Sequence, residues 1–365
     1  MSQKHRKVIN IGIGFDNQTI LHDGLGEFGF QLGSRIARQA PELKRRYGLE
    51  FHFHMRRDLH GLFGESVQYI KHGRRQSKLH FRRDSFSLWH TLNQHVRYAA
   101  PIFTDHWMMT VHDFNFLYDP VIKPKEKRRL KLKDWLKMRR IDSIVAISDY
   151  VAEDVRTKFS YSKVSRIYNG ARDPSNHRKK RIGGLTPGEF FFHLSRMAPS
   201  KNPRAILELA SYWRDHDFVL AGPSSPDVEA VKKLATLRRL ENVHFYSDIS
   251  EGQKEWLYAN CKAFLLPSYT EGFGLPLIEA MKFGKPIFAS NRTCLPEIGG
   301  DCAFYWNSFD HDEMKQTIID GLNRWDSVPE LRVAAKQRAD SFSWEDCANS
   351  YIKYYLKVLG LDAAN

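Results

Sequence analysis

The chain has 365 residues, 42% of them hydrophobic, and a formal net charge of +14. That length exceeds one typical domain and suits two, and the hydrophobic fraction is that of a globular chain with packed cores. No apolar run approaches the roughly 18–20 residues that span a bilayer, and the apolar stretch at 8–13 behind a basic start reads as a first strand rather than a signal peptide.

Strand and helix patterns alternate along the whole sequence, which predicts parallel α/β sheets. Residues 8–13 read as a strand and 27–38 as a helix. Between them lies HDGLGE (22–27), where Gly24 and Gly26 permit positive φ and close backbone approach near a helix N-terminus. Residues 51–55 and 107–111 read as strands. The second of these ends at His112-Asp113, the carboxyl end of a strand, where catalytic side chains sit in doubly wound folds; Asp113 suits a turn cap. A basic helix at 125–138 precedes a strand at 144–147. Ser148 reads as the N-cap of a helix at 150–158, and a strand at 164–168 closes the first half. Residues 169–188 are rich in Gly, Pro and charge, the composition of a linker, with Asn169-Gly170 as a hinge.

A second alternation follows. Strand 190–194 leads to Arg196 and Lys201, then to a helix at 203–213 with Pro at its start. Strands at 218–221, 243–246, 264–266 and 286–290 alternate with helices at 227–239, 251–260 and 277–282, and helices near 312–325, 329–340 and 344–359 end the chain. Two doubly wound domains predict a ligand cleft at the carboxyl ends of strands. The expected division is 1–170, a linker at 171–188, a second domain at 189–343, and a last helix at 344–365 packing back toward the first domain.

The most specific segment is YTEGFGLPLIEAM at 269–281. Glu271 follows a strand end, a Gly-Phe-Gly turn comes next, and Glu279 rides the first turns of a helix. A helix N-terminus beside glycines is a site for phosphate, and carboxylates accept hydrogen bonds from sugar hydroxyls. Arg196 offers a planar fork and Lys201 a point charge, together enough to neutralise a diphosphate leaving group.

The 269–281 segment resembles the E-x7-E motif of retaining glycosyltransferases with two Rossmann-like domains, the GT-B architecture, and most resembles glycosyltransferase family 4. The resemblance covers nearly the whole chain, most strongly residues 190–300 and less in 40–105. It implies that Arg196 and Lys201 hold the donor diphosphate and that Glu271 lies near hydroxyls of the transferred sugar. It implies that Glu279 holds the nucleotide ribose, while Phe273, Gly274 and Leu275 offer backbone N–H groups to phosphate or sugar. Gly24 and Gly26 correspond to the family's glycine-rich loop against the donor, and His112 to a histidine near the donor sugar. A serine at position 148 also occurs in the family, which leaves a ligand contact open beside the cap.

The expected reaction is transfer of a hexose of mannose or glucose type from a nucleotide diphosphate sugar to a glycan or glycolipid hydroxyl, with retention, in cell-surface polysaccharide or lipopolysaccharide synthesis. No Asp-x-Asp metal motif is expected, so transfer is read as metal-independent, with the nucleotide sugar as substrate and no cofactor. Rivals are a nucleotide-sugar epimerase, a phosphorylase, or a nucleic-acid-binding protein using the basic half.

That basic half is well marked. Residues 1–180 hold 35 Lys+Arg against 18 Asp+Glu, and residues 181–365 hold 21 against 24. Clusters at 71–83 and 123–140 suit an anionic membrane or glycolipid surface, a solvated face or nucleic acid. The membrane reading is preferred and no nucleic acid is expected, which predicts a cytoplasmic chain peripheral to the inner membrane face. The four cysteines match no zinc spacing and read as reduced.

Overall fold

The computed structural model describes residues 8–15, 24–73, 76, 85–95, 98–174 and 178–361. It divides into two compact units. The first gathers Met1–His112, Arg129–Gly170 and Ser343–Asn365, and the second Asp113–Arg128 and Ala171–Phe342. Within the first domain expected at 1–170, the segment Asp113–Arg128 groups instead with the second unit.

The first unit is built on seven strands: β1 (Ile9–Gly14), β2 (Leu49–Met55), β3 (Gln68–Lys71), β4 (Leu88–Thr91), β5 (Trp107–Val111), β6 (Ser143–Ala146) and β7 (Val164–Arg166). They form one sheet in the order β3-β2-β1-β4-β5-β6-β7, and the neighbours pair in parallel. Every residue of β4, β5 and β6 is buried, as expected of parallel strands covered by helices on both faces. The first helix runs Gly24–Tyr47, longer at both ends than its apolar stripe implies, and it carries Pro41 within it.

The last helix, Trp344–Val358, belongs to this first unit. It buries Tyr351, Ile352, Tyr355 and Leu356 in the same core as Ile11, Phe28 and Phe53. Its two tyrosines also find polar partners in the sheet. Tyr355 Oη lies 2.6 Å from His90 Nδ1, and Thr110 Oγ1 links His90 Nε2 (2.8 Å) to Tyr351 Oη (2.9 Å). Satisfied polar groups of this kind fix the seating of a helix that apolar contact alone leaves free to slide. Gly170 meets the start of this helix: a Cβ there would lie 2.1 Å from the Trp344 nitrogen, so only glycine lets the two backbones pass.

The second unit has six parallel strands: β8 (Phe190–Leu194), β9 (Asp217–Gly222), β10 (Val243–Ser247), β11 (Ala263–Leu266), β12 (Ile287–Ser290) and β13 (Phe304–Trp306). Their order is β10-β9-β8-β11-β12-β13. Phe191, Phe218, Leu220, Leu265 and Phe288 join helix residues such as Ile206, Leu209 and Val228 in its core. Two of its helix starts are capped by serines. Ser225 accepts from Val228 N–H, and Ser250 and Gln253 form a reciprocal capping box.

Both sheets reverse direction of winding once, between β1 and β4 and between β8 and β11. Helices leave such a pair toward opposite faces, which opens a crevice at the carboxyl ends of the two strands. Two parallel sheets wrapped by helices, each with one such reversal, are the two Rossmann-like domains of the expected fold class. Among the described residues no helix is long and apolar enough to cross a membrane.

Candidate active site

In the second unit the reversal falls between β8, which leads into Arg196 and Lys201, and β11, which leads into Glu271. The turn after β8 is unusual in backbone. Met197 and Asn202 sit at φ 55° and 51°, left-handed values that non-glycine residues rarely adopt. Between them a short 3-10 turn, Pro199–Lys201, ends on Lys201, and a helix begins at Pro203. Turns that hold such angles are over-determined by their surroundings.

The turn delivers Lys201 to Glu271. The ammonium lies 2.7 Å from Glu271 Oε2, with side-chain exposures of 15% and 10%. Ser268 donates to the other oxygen, Oε1, at 2.8 Å. The backbone around the pair is fastened as well. Tyr269 N–H donates to Ser200 C=O (2.8 Å), Glu271 N–H to Thr293 Oγ1 (3.1 Å), and Ser290 Oγ to Ser268 C=O (2.6 Å). Thr270 Oγ1 bonds Asn115 Oδ1. A carboxylate so fixed is a positioned acceptor rather than a mobile surface acid.

Arg196 is exposed and has no ion pair among the described residues. It shares the turn with Lys201 and leaves its guanidinium fork available to an anion.

Gly274 takes φ 86° as N-cap of the helix Leu275–Lys282, and a Cβ there would meet Leu295 Cδ2 at 2.8 Å. Glycine suits the conformation, and a Cβ would also displace the Leu295 methyl. Phe273 is buried against Phe342, ring centroids 5.6 Å apart. Its ring anchors the loop, so any ligand contact it makes comes from the backbone.

Glu279, on the second turn of that helix, has partners of its own. Tyr258 Oη donates to Oε2 at 2.9 Å, and Lys254 Nζ lies 3.5 Å from Oε1 and 2.8 Å from Glu251. Burial opposes the Lys254 charge, but Glu279 and Glu251 outweigh it and hold the ammonium above its ordinary pKa. Burial, and then the Glu279 charge, push the Tyr258 hydroxyl well up, so it stays a donor. These groups line a shallow, open hollow with Arg172, Asp173, Pro174 and Phe283.

Three of the sequence-derived candidates lie in the first unit. His112 is 5% exposed, its Nε2 donates to Leu92 C=O at 2.8 Å, and its ring stands edge-on to Phe28. The expected sugar contact therefore cannot come from Nε2. Gly24 opens the first helix and is exposed, whereas Gly26 is buried in its first turn. Neither has positive φ, so the conformational reason given for them does not hold. The rest of that loop, 16–23, falls outside the described residues. Ser148 does cap its helix, accepting from Val151 N–H at 3.2 Å, and Asp113 caps its turn through Asn115 N–H.

Against the expectation of none, two Asp-His-Asp tripeptides fit the Asp-x-Asp pattern. In Asp215–Asp217 the last residue starts β9, at the amino end of the sheet, and bonds His244. In Asp310–Asp312 the side chains come within 4.8 Å of one another, but Asp310 is spent as a helix N-cap. Tyr258 and Lys254, which share the helix Glu251–Asn260, and Ser268 and Thr293, in two separate loops, were missed because no local pattern joins them to the motif.

Two histidines of the sheets set a pH dependence. Burial pushes His90 down to about 3 and His193 down to about 4. Between about pH 6.5 and 4 the unfolded rings bind protons and the folded ones do not, so stability falls as pH falls. Urea denaturation at pH 6.5 and 4.5 is expected to show a loss of roughly 1 kcal/mol per pH unit for each ring. An unchanged midpoint over that interval contradicts the assignment of both rings as neutral.

A family model described as "Glycosyl transferases group 1" matches residues 176–341. The chain is 24% identical over 302 residues to the O-antigen chain mannosyltransferase B of Escherichia coli, covering 76% of this chain and 78% of that protein. It is 28% identical over 250 residues to the serotype-specific mannosyltransferase WbdA of Escherichia coli, covering 64% of this chain and only 31% of that much longer protein. Among solved structures, the sucrose-phosphate synthase of Thermosynechococcus elongatus shares the fold with a TM-score of 0.76 at 16% identity, over 96% of this chain and 99% of that one.

Proposed function

We propose that this chain is a group 1 glycosyltransferase of GT-B architecture that transfers a hexose from a nucleotide diphosphate sugar to a glycan or glycolipid hydroxyl with retention of anomeric configuration. The observation that carries this reading is the half-buried Lys201–Glu271 pair at the reversal of the second sheet, beside exposed Arg196 and the glycine-capped helix N-terminus at Gly274. Cations and a helix N-terminus stabilise the charge that develops on a departing diphosphate. Glu271, held by Ser268, accepts hydroxyls of the transferred sugar and positions the donor. Glu279, held by Tyr258 and Lys254, takes the ribose in the hollow that Arg172 and Phe283 border. The leaving phosphate assists the incoming hydroxyl on the same face, and no side chain attacks the sugar.

The relatives named as mannosyltransferases favour mannose, and O-antigen synthesis as the setting. Thermal shift against a panel of GDP-mannose, UDP-glucose and UDP-galactose tests the reading. The expected result is a stabilisation by one donor that exceeds that by its free nucleoside. No stabilisation by any nucleotide sugar, with salt-sensitive binding of RNA instead, overturns it.

The basic first unit supports a contact with an anionic membrane that carries the acceptor. In the helix Pro124–Met138, Leu132 and Leu136 are 56% and 54% exposed, one turn apart, with Arg129, Lys133, Arg139 and Arg140 exposed around them. Exposed leucines ringed by cations suit a surface that is anionic outside and apolar beneath. Liposome flotation is expected to recover the protein with anionic vesicles and to lose at least tenfold of that recovery in the Leu132→Ser, Leu136→Ser variant. Equal recovery with neutral vesicles contradicts the contact. The cluster at 71–83 lies largely outside the described residues.

A further inference from the structure

His193 lies in β8 with 1% exposure, and it joins the two strands that flank the site. Its Nδ1 is 2.8 Å from Leu265 C=O of β11, and its Nε2 is 2.7 Å from Ser195 Oγ. Ser195 Oγ in turn accepts from Met197 N–H at 2.9 Å. A carbonyl only accepts, so Nδ1 carries the ring proton and Nε2 receives the Ser195 hydroxyl hydrogen. The serine oxygen is then free to accept the Met197 amide. The three bonds run in one direction, from the Met197 amide to the Leu265 carbonyl, and satisfy every polar atom of both side chains. Because the ring is buried and neutral near pH 7, this direction does not reverse there.

The relay ends on the strained point of the turn. Met197 is buried and left-handed, at φ 55°, a conformation that residues with a side chain rarely adopt. Arg196 immediately precedes it and Lys201 follows by four. The other end of the relay, Leu265, belongs to the strand that delivers Glu271.

We propose that His193 and Ser195 are positioning residues for diphosphate binding: their relay fixes the Met197 turn, and with it the placement of Arg196 and Lys201, against the strand that carries Glu271. The proposal rests on the reading of Arg196 and Lys201 as diphosphate ligands. Without the serine hydroxyl, the Met197 amide loses its acceptor and the turn relaxes toward ordinary φ, which moves the cations while leaving the nucleoside hollow untouched.

The test is the preference for nucleoside diphosphate over nucleoside monophosphate, measured by calorimetry with GDP and GMP and with UDP and UMP. Ser195→Ala is expected to lower the wild-type preference about tenfold, with monophosphate affinity within twofold of wild type. Ser195→Thr keeps the hydroxyl and is expected to stay within threefold of the wild-type preference. An unchanged preference in Ser195→Ala overturns the proposal, as does an equal loss for both nucleotides or a threonine variant as impaired as the alanine one. The Arg196→Ala, Lys201→Ala variant separates the two levels. If it too keeps the wild-type preference, the diphosphate reading fails, and the proposal fails with it.

Discussion

Glu271→Gln is expected to lower kcat/KM by one to two decades while nucleoside diphosphate affinity stays at or above the wild-type value. Glutamine keeps the shape of the side chain and one oxygen, so Ser268 retains an acceptor. What is lost is the charge that Lys201 faces at 2.7 Å and that sugar hydroxyls are read to share. A hydrogen bond to a charged group contributes roughly 1.5–3 kcal/mol, about one to two decades in rate. Lys201, relieved of its carboxylate, gives its whole charge to the diphosphate, so ground-state binding of the leaving group does not suffer. The signature is thus a loss in kcat without a loss in affinity. Steady-state kinetics beside calorimetry check it, and either wild-type turnover or a parallel loss of diphosphate affinity contradicts the role given to Glu271.

Replacing both cations, Arg196→Ala with Lys201→Ala, is expected to show the opposite pattern. Each charge-assisted bond to phosphate is worth roughly 1.5–3 kcal/mol, so nucleoside diphosphate affinity falls by two decades or more and nucleoside affinity barely changes. The two residues differ in what else they disturb. Arg196 is exposed and its removal leaves nothing buried unpaired. Lys201 removal strands Glu271, only 10% exposed, without its counter-charge, so the double variant also loses stability through that uncompensated charge. Affinities measured well below the melting temperature separate the effects. Equal losses for diphosphate and nucleoside contradict the assignment of these cations to phosphate.

The sequence made the second unit legible almost residue by residue. Strand Phe190–Leu194 and helix Glu251–Asn260 fall where apolar runs and turn chemistry place them. The Glu271 and Gly274 segment announces a strand end, a glycine turn and a helix start within a dozen residues. The first unit was harder. Strands Gln68–Lys71 and Leu88–Thr91 are four residues long and interleaved with basic, His-rich sequence, so no period-2 pattern emerges. Helix Gly24–Tyr47 runs through Pro41, which a sequence reading takes as a stop. His112 shows the limit of reasoning from strand ends alone. Its position at the end of β5 is as expected, but tertiary packing commits its Nε2 to Leu92. The groups that hold the site, Ser268, Thr293, Tyr258 and His193, come from two loops, a helix and a strand, and only the folded sheet brings them to the two glutamates.

The account turns on where the pyrophosphate of an activated sugar sits. A crystal structure of the protein with the nucleoside diphosphate that stabilises it most is the direct measurement. The expected result places the two phosphates within hydrogen-bonding distance of Arg196 and Lys201, with the ribose hydroxyls on Glu279. A diphosphate bound away from the turn after β8, with Lys201 still paired only to Glu271, contradicts it.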